Sequence, residues 1–395
     1  MSKVAKGPDS PYAWWMLAVV FFVGIAAPIN QFKVPPIMQQ LCISLDVSLT
    51  TAGWLMSVFS LVAIILALPA GFIIRKIGIR TAGVLAMLSF VVGSLLGVFS
   101  TSPSMLLFSR VIEGLGMCLI AITGPAAISY WFTPAKLGTA MGLWGAWVPL
   151  GLVIMFNVAP RIGAGDWHIV WWTSTAYAVF ALILFVTCYR MPKGTERKDP
   201  GKEPTLQSIF AKLKVRDIWL LAFAFLAQNV CQITINSFMP TFMGTHLGMS
   251  PAKAGFTASL LMLISIVSGA LAGVWSDKIN SRKKPTFIAM GALALLMLCP
   301  FSLPAEWMTG YMLILGIFIG IIPTCVFAAA PEIMGNPEDS GIGLSVVAVG
   351  QNLGMFFGPG LYGMLIENVG WTTAGYMIIP VLVLGIIATL MMRIR

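Results

Sequence analysis

Apolar runs of roughly 19 to 27 residues recur along the chain, and each is long enough for a helix to cross a hydrocarbon core about 30 Å thick. They lie near 12–38, 51–74, 81–99, 105–131, 139–160, 167–189, 217–242, 251–275, 285–303, 307–330, 342–366 and 371–392, twelve in all. A closed barrel is the other structure that satisfies its backbone in lipid. It needs segments of about ten residues alternating apolar and polar, and no such alternation occurs. With 58% hydrophobic and 10% charged residues, against about 25% charged in a typical soluble domain, a water-soluble fold is excluded. The expected class is an all-α membrane protein of twelve transmembrane helices.

The first run follows Lys3 and Lys6 but is too long for a signal-peptide core, so it reads as a retained span. Six cysteines are scattered without C-x-x-C spacing, which argues against a disulfide framework, a zinc site or a redox motif. A net charge of +10 would suggest nucleic acid for a soluble protein; here the position of the charges decides. With both termini in the cytoplasm, 20 of the 24 cations fall on cytoplasmic segments and only Arg161 and Lys253 on outer loops. The positive-inside rule therefore orients the chain with cytoplasmic termini, multi-pass in the plasma membrane, for a bacterium the inner membrane.

The longest break falls near the midpoint and is rich in charge, proline and glycine. It divides the chain into a six-helix bundle over 1–190, a cytoplasmic linker over 191–215 and a second six-helix bundle over 216–395. The halves repeat. Gly53 and Gly71 bound span two and Gly255 and Gly273 bound span eight, both pairs 18 apart. An offset near 202 to 204 also superposes Pro36 on Pro240, Gly114 on Gly316 and Trp167 on Trp371, as a six-plus-six duplication requires. Ser102-Pro103, Thr133-Pro134 and Ser250-Pro251 read as caps followed by proline in the first helical turn.

The loops after spans two and eight carry G-F-I-I-R-K-I-G-I-R and G-V-W-S-D-K-I-N-S-R-K-K. The chain thereby resembles the major facilitator superfamily, whose members commonly carry G-x-x-x-D-[RK]-x-G-[RK]-[RK] there. The matching residues are Gly71, Lys76, Gly78 and Arg80 in the first copy and Gly273, Asp277, Lys278 and Arg282 in the second. Arg75 stands where the pattern has aspartate, and Asn280 where glycine is usual. Span four carries Arg110, Gly114 and Gly116, similar to the family's R-x-x-x-G-x-G. The segments P-P-I-M-Q-Q-L, A-G-W-L-M-S and G-D-W-H-I-V-W-W resemble the cyanate permease and nitrate/nitrite-porter-like small-anion carriers. The resemblance implies two pseudo-symmetric six-helix bundles and transport of a solute, and assigns the two loop motifs a conformational role.

A carrier replaces a solute's water with side chains at mid-depth, so polar groups inside spans are candidate ligands. An unpaired charge there costs roughly 2.5 to 3.5 kcal/mol on insertion scales. Three ionisable residues qualify: Lys33, Arg110 and Glu113. Arg110 and Glu113 lie three apart on one helix face and can pair, leaving Lys33 as the uncompensated cation. It either faces the cavity with Asn30 and Gln31 or snorkels to the headgroups. Arg110 serves a structural pair or a coupling site with Glu113, whose carboxylate is the candidate proton acceptor. Span seven presents Asn229, Gln232 and Asn236 at i, i+3 and i+7 within a cluster begun by Gln228, and Gln351 and Asn352 add a polar pair in span eleven, of which one faces the centre. His168 and His246 are too far apart in sequence to suggest a metal site.

No G-x-x-x-x-G-K-[ST], H-E-x-x-H or G-x-S-x-G occurs, so neither an enzyme nor an ATP-driven pump is expected. The expected function is secondary transport of a small, anionic solute by alternating access, as a proton symporter and a monomer, with the bilayer and protons as partners, no nucleic acid and no cofactor. Two alternatives remain open here: a carrier or exporter of a neutral or amphipathic solute, and a transporter-like sensor.

Overall fold

The computed structural model describes residues 8–66, 69, 74, 76–192, 213–336 and 339–394; every regular element among them is helical. Ten of these helical stretches are long and apolar enough to cross a membrane. Two shorter helices, Lys283–Leu296 and Ile378–Met391, stand where spans nine and twelve are expected. In chain order the first six spans comprise α1 (Pro11–Gln31), α2 (Met38–Leu45), α3 (Leu49–Ser57), α4 (Leu61–Leu66), α5 (Ile79–Val98), α6 (Pro103–Ser129), α7 (Pro134–Gly145), α8 (Trp147–Ile162) and α9 (His168–Cys188). The last six comprise α10 (Arg216–Thr245), α11 (Pro251–Lys278), α12 (Lys283–Leu296), α13 (Met308–Met334), α14 (Ser340–Tyr376) and α15 (Ile378–Met391). The expected linker falls largely on 193–212, outside the described residues.

Local chemistry explains where the spans break. The first is not one helix over 12–38. Pro35 and Pro36 lack amide hydrogens, so α1 stops at Gln31 and the chain passes through a turn and the 3-10 segment Pro35–Ile37 before α2. Gly370, at φ 78°, ψ 168°, interrupts α14 and separates spans eleven and twelve without a longer loop. Ser48, Ser102 and Ser250 each accept a hydrogen bond from the amide three residues on, satisfying one orphan donor of α3, α6 and α11. Thr133 departs from the expected cap: its hydroxyl and its amide both donate to the Asp9 carboxylate instead.

Burial follows the bilayer rather than water. Large apolar side chains point outward, Leu295 at 69% and Leu271 at 64% exposure, because lipid solvates them. Within the first half α5 packs on α6 and α9, and α1 on α6, α8 and α9; in the second, α11 packs on α13, and α10 on α14 and α15. The halves meet along two seams, α3 on α14 and α8 on α11. Both seams lie toward the end of the molecule that holds Leu49 and Ile162, here the far end; Pro11 and Met391 mark the terminal end.

Glycine makes the seams possible. A Cβ on Gly53 would stand 2.3 Å from the Pro359 carbonyl oxygen, and one on Gly255 2.0 Å from that of Phe156. Nearer the terminal end, Gly138, Gly142 and Gly145 on α7 and Gly341 on α14 face open space.

Candidate functional site

The ionisable residues of spans one and four converge on one point, with Lys33, Arg110 and Glu113 all at 0% exposure. Lys33 stands in the turn after α1, and its Nζ donates to Glu113 Oε1 at 2.6 Å, Ser94 Oγ at 2.8 Å and Asn30 Oδ1 at 3.1 Å. Arg110 Nη1 reaches Glu113 Oε2 at 2.5 Å. The expectation of an uncompensated Lys33 is therefore corrected. Its ammonium neither snorkels to the surface nor stands alone, because Glu113 takes one cation on each oxygen.

Backbone geometry dictates this arrangement. The early stop of α1 leaves its last carbonyls without intrahelical partners, and Arg110 supplies donors to two of them, Asn30 O and Gln31 O. Arg110 Nε donates to Leu55 O at 2.9 Å, where span two kinks into its 3-10 turn. One guanidinium thus ties the end of α1, the kink of span two and Glu113 on its own helix. A Cβ on Gly93 would stand 2.6 Å from Glu113 Cγ, and one on Gly114 2.1 Å from the Phe59 carbonyl oxygen. Small residues therefore let α5 and span two close over the cluster. The rings of Trp171 and Phe59 lie 4.6 Å from Lys33 Nζ and Arg110 Cζ, weak cation–π support in a dry site.

Sequence reasoning missed Ser94, whose hydroxyl lies within hydrogen-bond distance of Asn30 Oδ1 at 2.7 Å and Glu113 Oε1 at 3.0 Å. A serine in an apolar helix carries no signal by itself. Gln31 contributes through its carbonyl, while its side-chain Oε1 is buried without a partner.

The amides of span seven form a ladder on α10. Gln228 Nε2 donates to Gln232 Oε1 at 2.8 Å, and Asn229 Nδ2 to Gln228 Oε1 at 3.0 Å. Asn229 turns toward α14, its Cβ 2.9 Å from the place a Gly354 Cβ would occupy. Asn236 stands apart, buried, with neither Nδ2 nor Oδ1 bonded. Gln351 and Asn352 are both half-buried, and Asn352 Nδ2 folds back onto Ala348 O.

The loop motifs differ between copies. In the second, Arg282 pairs with Asp277 at 2.5 Å and with Glu332 of α13 at 2.9 Å. In the first, Arg80 donates to the Val186 carbonyl at 3.3 Å and, among the described residues, forms no ion pair; Gly71 and Arg75 lie outside the described residues. Gly78 and Asn280, 202 apart, stand at φ +84° and +47°. Both copies hold a positive φ there, but Gly78, at ψ 153°, is in a region almost confined to glycine, whereas a φ of +47° is one that asparagine tolerates better than most residues with a side chain. Lys76 and Lys278 are exposed. Gly273 lets α11 pass Thr324, 3.6 Å from where its Cβ would stand.

Comparison with known proteins agrees with this architecture. Residues 15–338 match the Major Facilitator Superfamily. The chain is 23% identical to a nitrite extrusion protein of Bacillus subtilis, over 79% of this chain and 77% of the relative. It is 23% identical to a probable nitrate transporter of Staphylococcus epidermidis, over 82% of each, and 21% identical to a probable sulfoacetate transporter of Cupriavidus necator, over 92% and 89%. A bacterial homologue of the human lysosomal transporter Spinster, solved in an inward-facing and occupied conformation, shares the fold at a TM-score of 0.74 with 16% identity, covering 96% of both chains. Twelve helical spans in two similar halves, the paired loop motifs and this match lead to one conclusion: the chain belongs to the Major Facilitator Superfamily and is an integral, multi-pass membrane transporter.

Proposed function

We propose that this transporter moves a small anion by alternating access, coupled to a proton. The observation that carries the reading is the buried cluster of two cations and one carboxylate, Lys33 and Arg110 against Glu113. One positive charge is left over in a site closed to water. An anion in the neighbouring passage offsets it, by about 2 kcal/mol for unit charges about 8 Å apart at an effective dielectric constant near 20. The names of relatives that carry nitrite, nitrate and sulfoacetate support the same class of solute.

In this reading Arg110 and Glu113 are the fixed frame and Lys33, supported by Asn30 and Gln31, provides the surplus charge. Gln232, Asn236, Gln351 and Asn352 line the facing side of the route, with Asn229 of α10 packed against α14 beside them. A proton-carrying role for Glu113 requires the cluster to open, since both its oxygens already accept from donors. The distribution of cations along the sequence, 20 of 24 on segments assigned to the cytoplasm, supports cytoplasmic termini in the inner membrane. The closed seams then face outward, and solute enters or leaves on the cytoplasmic side in this conformation.

The test is uptake of nitrate, nitrite and sulfoacetate into proteoliposomes under an imposed pH gradient, comparing wild type with Lys33→Gln. Removing the surplus charge is expected to weaken uptake about ten- to thirty-fold, at 1.4 kcal/mol per factor of ten. Anion uptake unaffected by the substitution refutes the reading.

A further inference from the structure

The two seams between the halves are related by the repeat, contact by contact. Gly53 lies on the Pro359 carbonyl as Gly255 lies on that of Phe156. Ser57 Oγ accepts from the Gly360 amide at 2.8 Å, as Ser259 Oγ accepts from Asn157 Nδ2 at 3.3 Å. Among the described residues one side-chain hydrogen-bonded contact has no counterpart. On the α3–α14 seam the Glu367 carboxylate accepts from the Thr50 amide at 3.1 Å through Oε1 and from the Thr50 hydroxyl through Oε2. At the matching offset the other seam has Ala252 and Ala164, which offer no such pair.

We infer that Glu367 is the proton-responsive latch of the far-end gate: as a carboxylate it fastens α14 of the second half to the start of α3 of the first, and its protonation lets the seam part. This rests on the alternating-access reading above and gives its proton a place. The bonds require two acceptor oxygens. A proton on Oε2 can be met by the Thr50 hydroxyl turning to accept it, but the carboxylate's charge is lost, and with it the charge assistance to the amide bond and the attraction of the α3 N-terminus across the seam. The first turn of α3 also carries orphan amides at the positive end of a helix, which favour a negative group.

Access separates Glu367 from Glu113. Glu367 is exposed at the far end, so a proton reaches it from bulk water, whereas Glu113 is at 0% exposure between two cations. Among the described residues no lysine or arginine forms an ion pair with Glu367. The Ser48 hydroxyl and the Leu49 and Thr50 groups of the α3 start all favour the Glu367 carboxylate, and the Cys42 thiol of α2 is the titratable group that feels its charge. The sign follows from linkage. Opening takes up a proton, so the closed seam is favoured above the ordinary glutamate pKa near 4.5 and the open seam gains only as pH falls below it, by at most about tenfold per pH unit.

The test measures the gate directly in the full chain reconstituted in lipid. Spin labels are carried on a keto amino acid introduced at Thr101 and Glu306, in far-end loops of the two halves, and distances are read by electron–electron resonance from pH 7 to pH 3, across the range in which Glu367 takes up its proton. Wild type is expected to gain a longer-distance population on acidification, with the slope given above. Glu367→Gln is expected to hold that population at every pH and to lose the slope. Thr50→Val, which removes only the hydroxyl donor, is expected to raise the population while keeping a slope. A wild type without pH response, or a Glu367→Gln protein that retains the wild-type slope, overturns the latch. The readout needs no solute: a responsive seam in a protein that moves no anion defeats the transport reading alone, and anion transport with an indifferent seam defeats the latch alone.

Discussion

Spans one and seven are repeat partners, yet they fill their polar interiors in different ways. Lys33 of the first half falls, at an offset of 204, on Ser237, whose hydroxyl does no more than donate to Ile233 O at 2.7 Å. Glu113 falls, at the offset of 202 that superposes Gly114 on Gly316, on Leu315, which is fully buried beside Gly316, where a Cβ would stand 2.3 Å from the Leu261 carbonyl oxygen. The first half thus holds buried ions where the second holds close backbone packing and an amide ladder. A duplicated backbone does not dictate the chemistry of its interior. A buried ion cluster is all-or-nothing, because each member leaves the others exposed to desolvation when it is removed, whereas neutral amides can be exchanged singly.

The largest expected effect tests that contrast directly. Glu113→Gln strands Lys33 and Arg110 together and is expected to cost about 3 to 5 kcal/mol of stability, while Gln232→Leu stays within about 1 kcal/mol. Thermal unfolding in detergent measures both, and equal losses break the comparison. Next comes Gly93→Ala. Its methyl would press on Glu113 Cγ at 2.6 Å and the Ser109 carbonyl at 2.9 Å, an overpacking cost of about 1 to 3 kcal/mol; Gly273→Ala, with 3.6 Å to Thr324, is expected to be nearly silent.

Asn236→Leu sharpens the other side. The amide is buried with both atoms unbonded, so an apolar group of similar volume is expected to leave stability unchanged or raise it by up to about 1 kcal/mol. Anion uptake is expected to fall, and a stable variant with full uptake removes Asn236 from the route. The smallest effect is at the surface of the first half, where the Thr133 hydroxyl holds the Asp9 carboxyl below its usual range. A depressed folded-state value contributes stability that is present above the ordinary carboxylate pKa and is lost as pH falls through the folded one. Asp9→Asn should flatten that acid limb of the melting profile and leave neutral pH almost untouched.

The span pattern was legible because lipid admits few backbone solutions, so hydropathy and the Gly53/Gly255 spacing sufficed for class and repeat. The pairing of Arg110 with Glu113 follows from helical spacing alone. The partner of Lys33 did not, because a continuous apolar run over 12–38 hides the stop at Gln31, and only the turn before Pro35 swings the ammonium onto Glu113. Glu367 was passed over for a related reason. A carboxylate at a span end reads as ordinary surface until the other half brings Thr50 beneath it, a contact 317 residues distant in sequence. Asn280 shows the reverse: where the loop pattern usually has glycine, asparagine still holds a positive φ.

The glycine-on-carbonyl seams have a mechanical corollary. Two surfaces that interlock through leucines must strip large oily areas into solvent when they part, at about 25 cal/mol for each Å². Where glycine rests on a carbonyl, as at Gly53 and Gly255, little oily area is stripped on parting, and Trp54 on Phe356 is the large apolar contact left on the α3–α14 seam. Water wets the freed carbonyls at once, so the joint can be tight when shut and still cheap to separate, and its balance is left to be set by a few polar fasteners such as Ser57, Ser259 and Glu367.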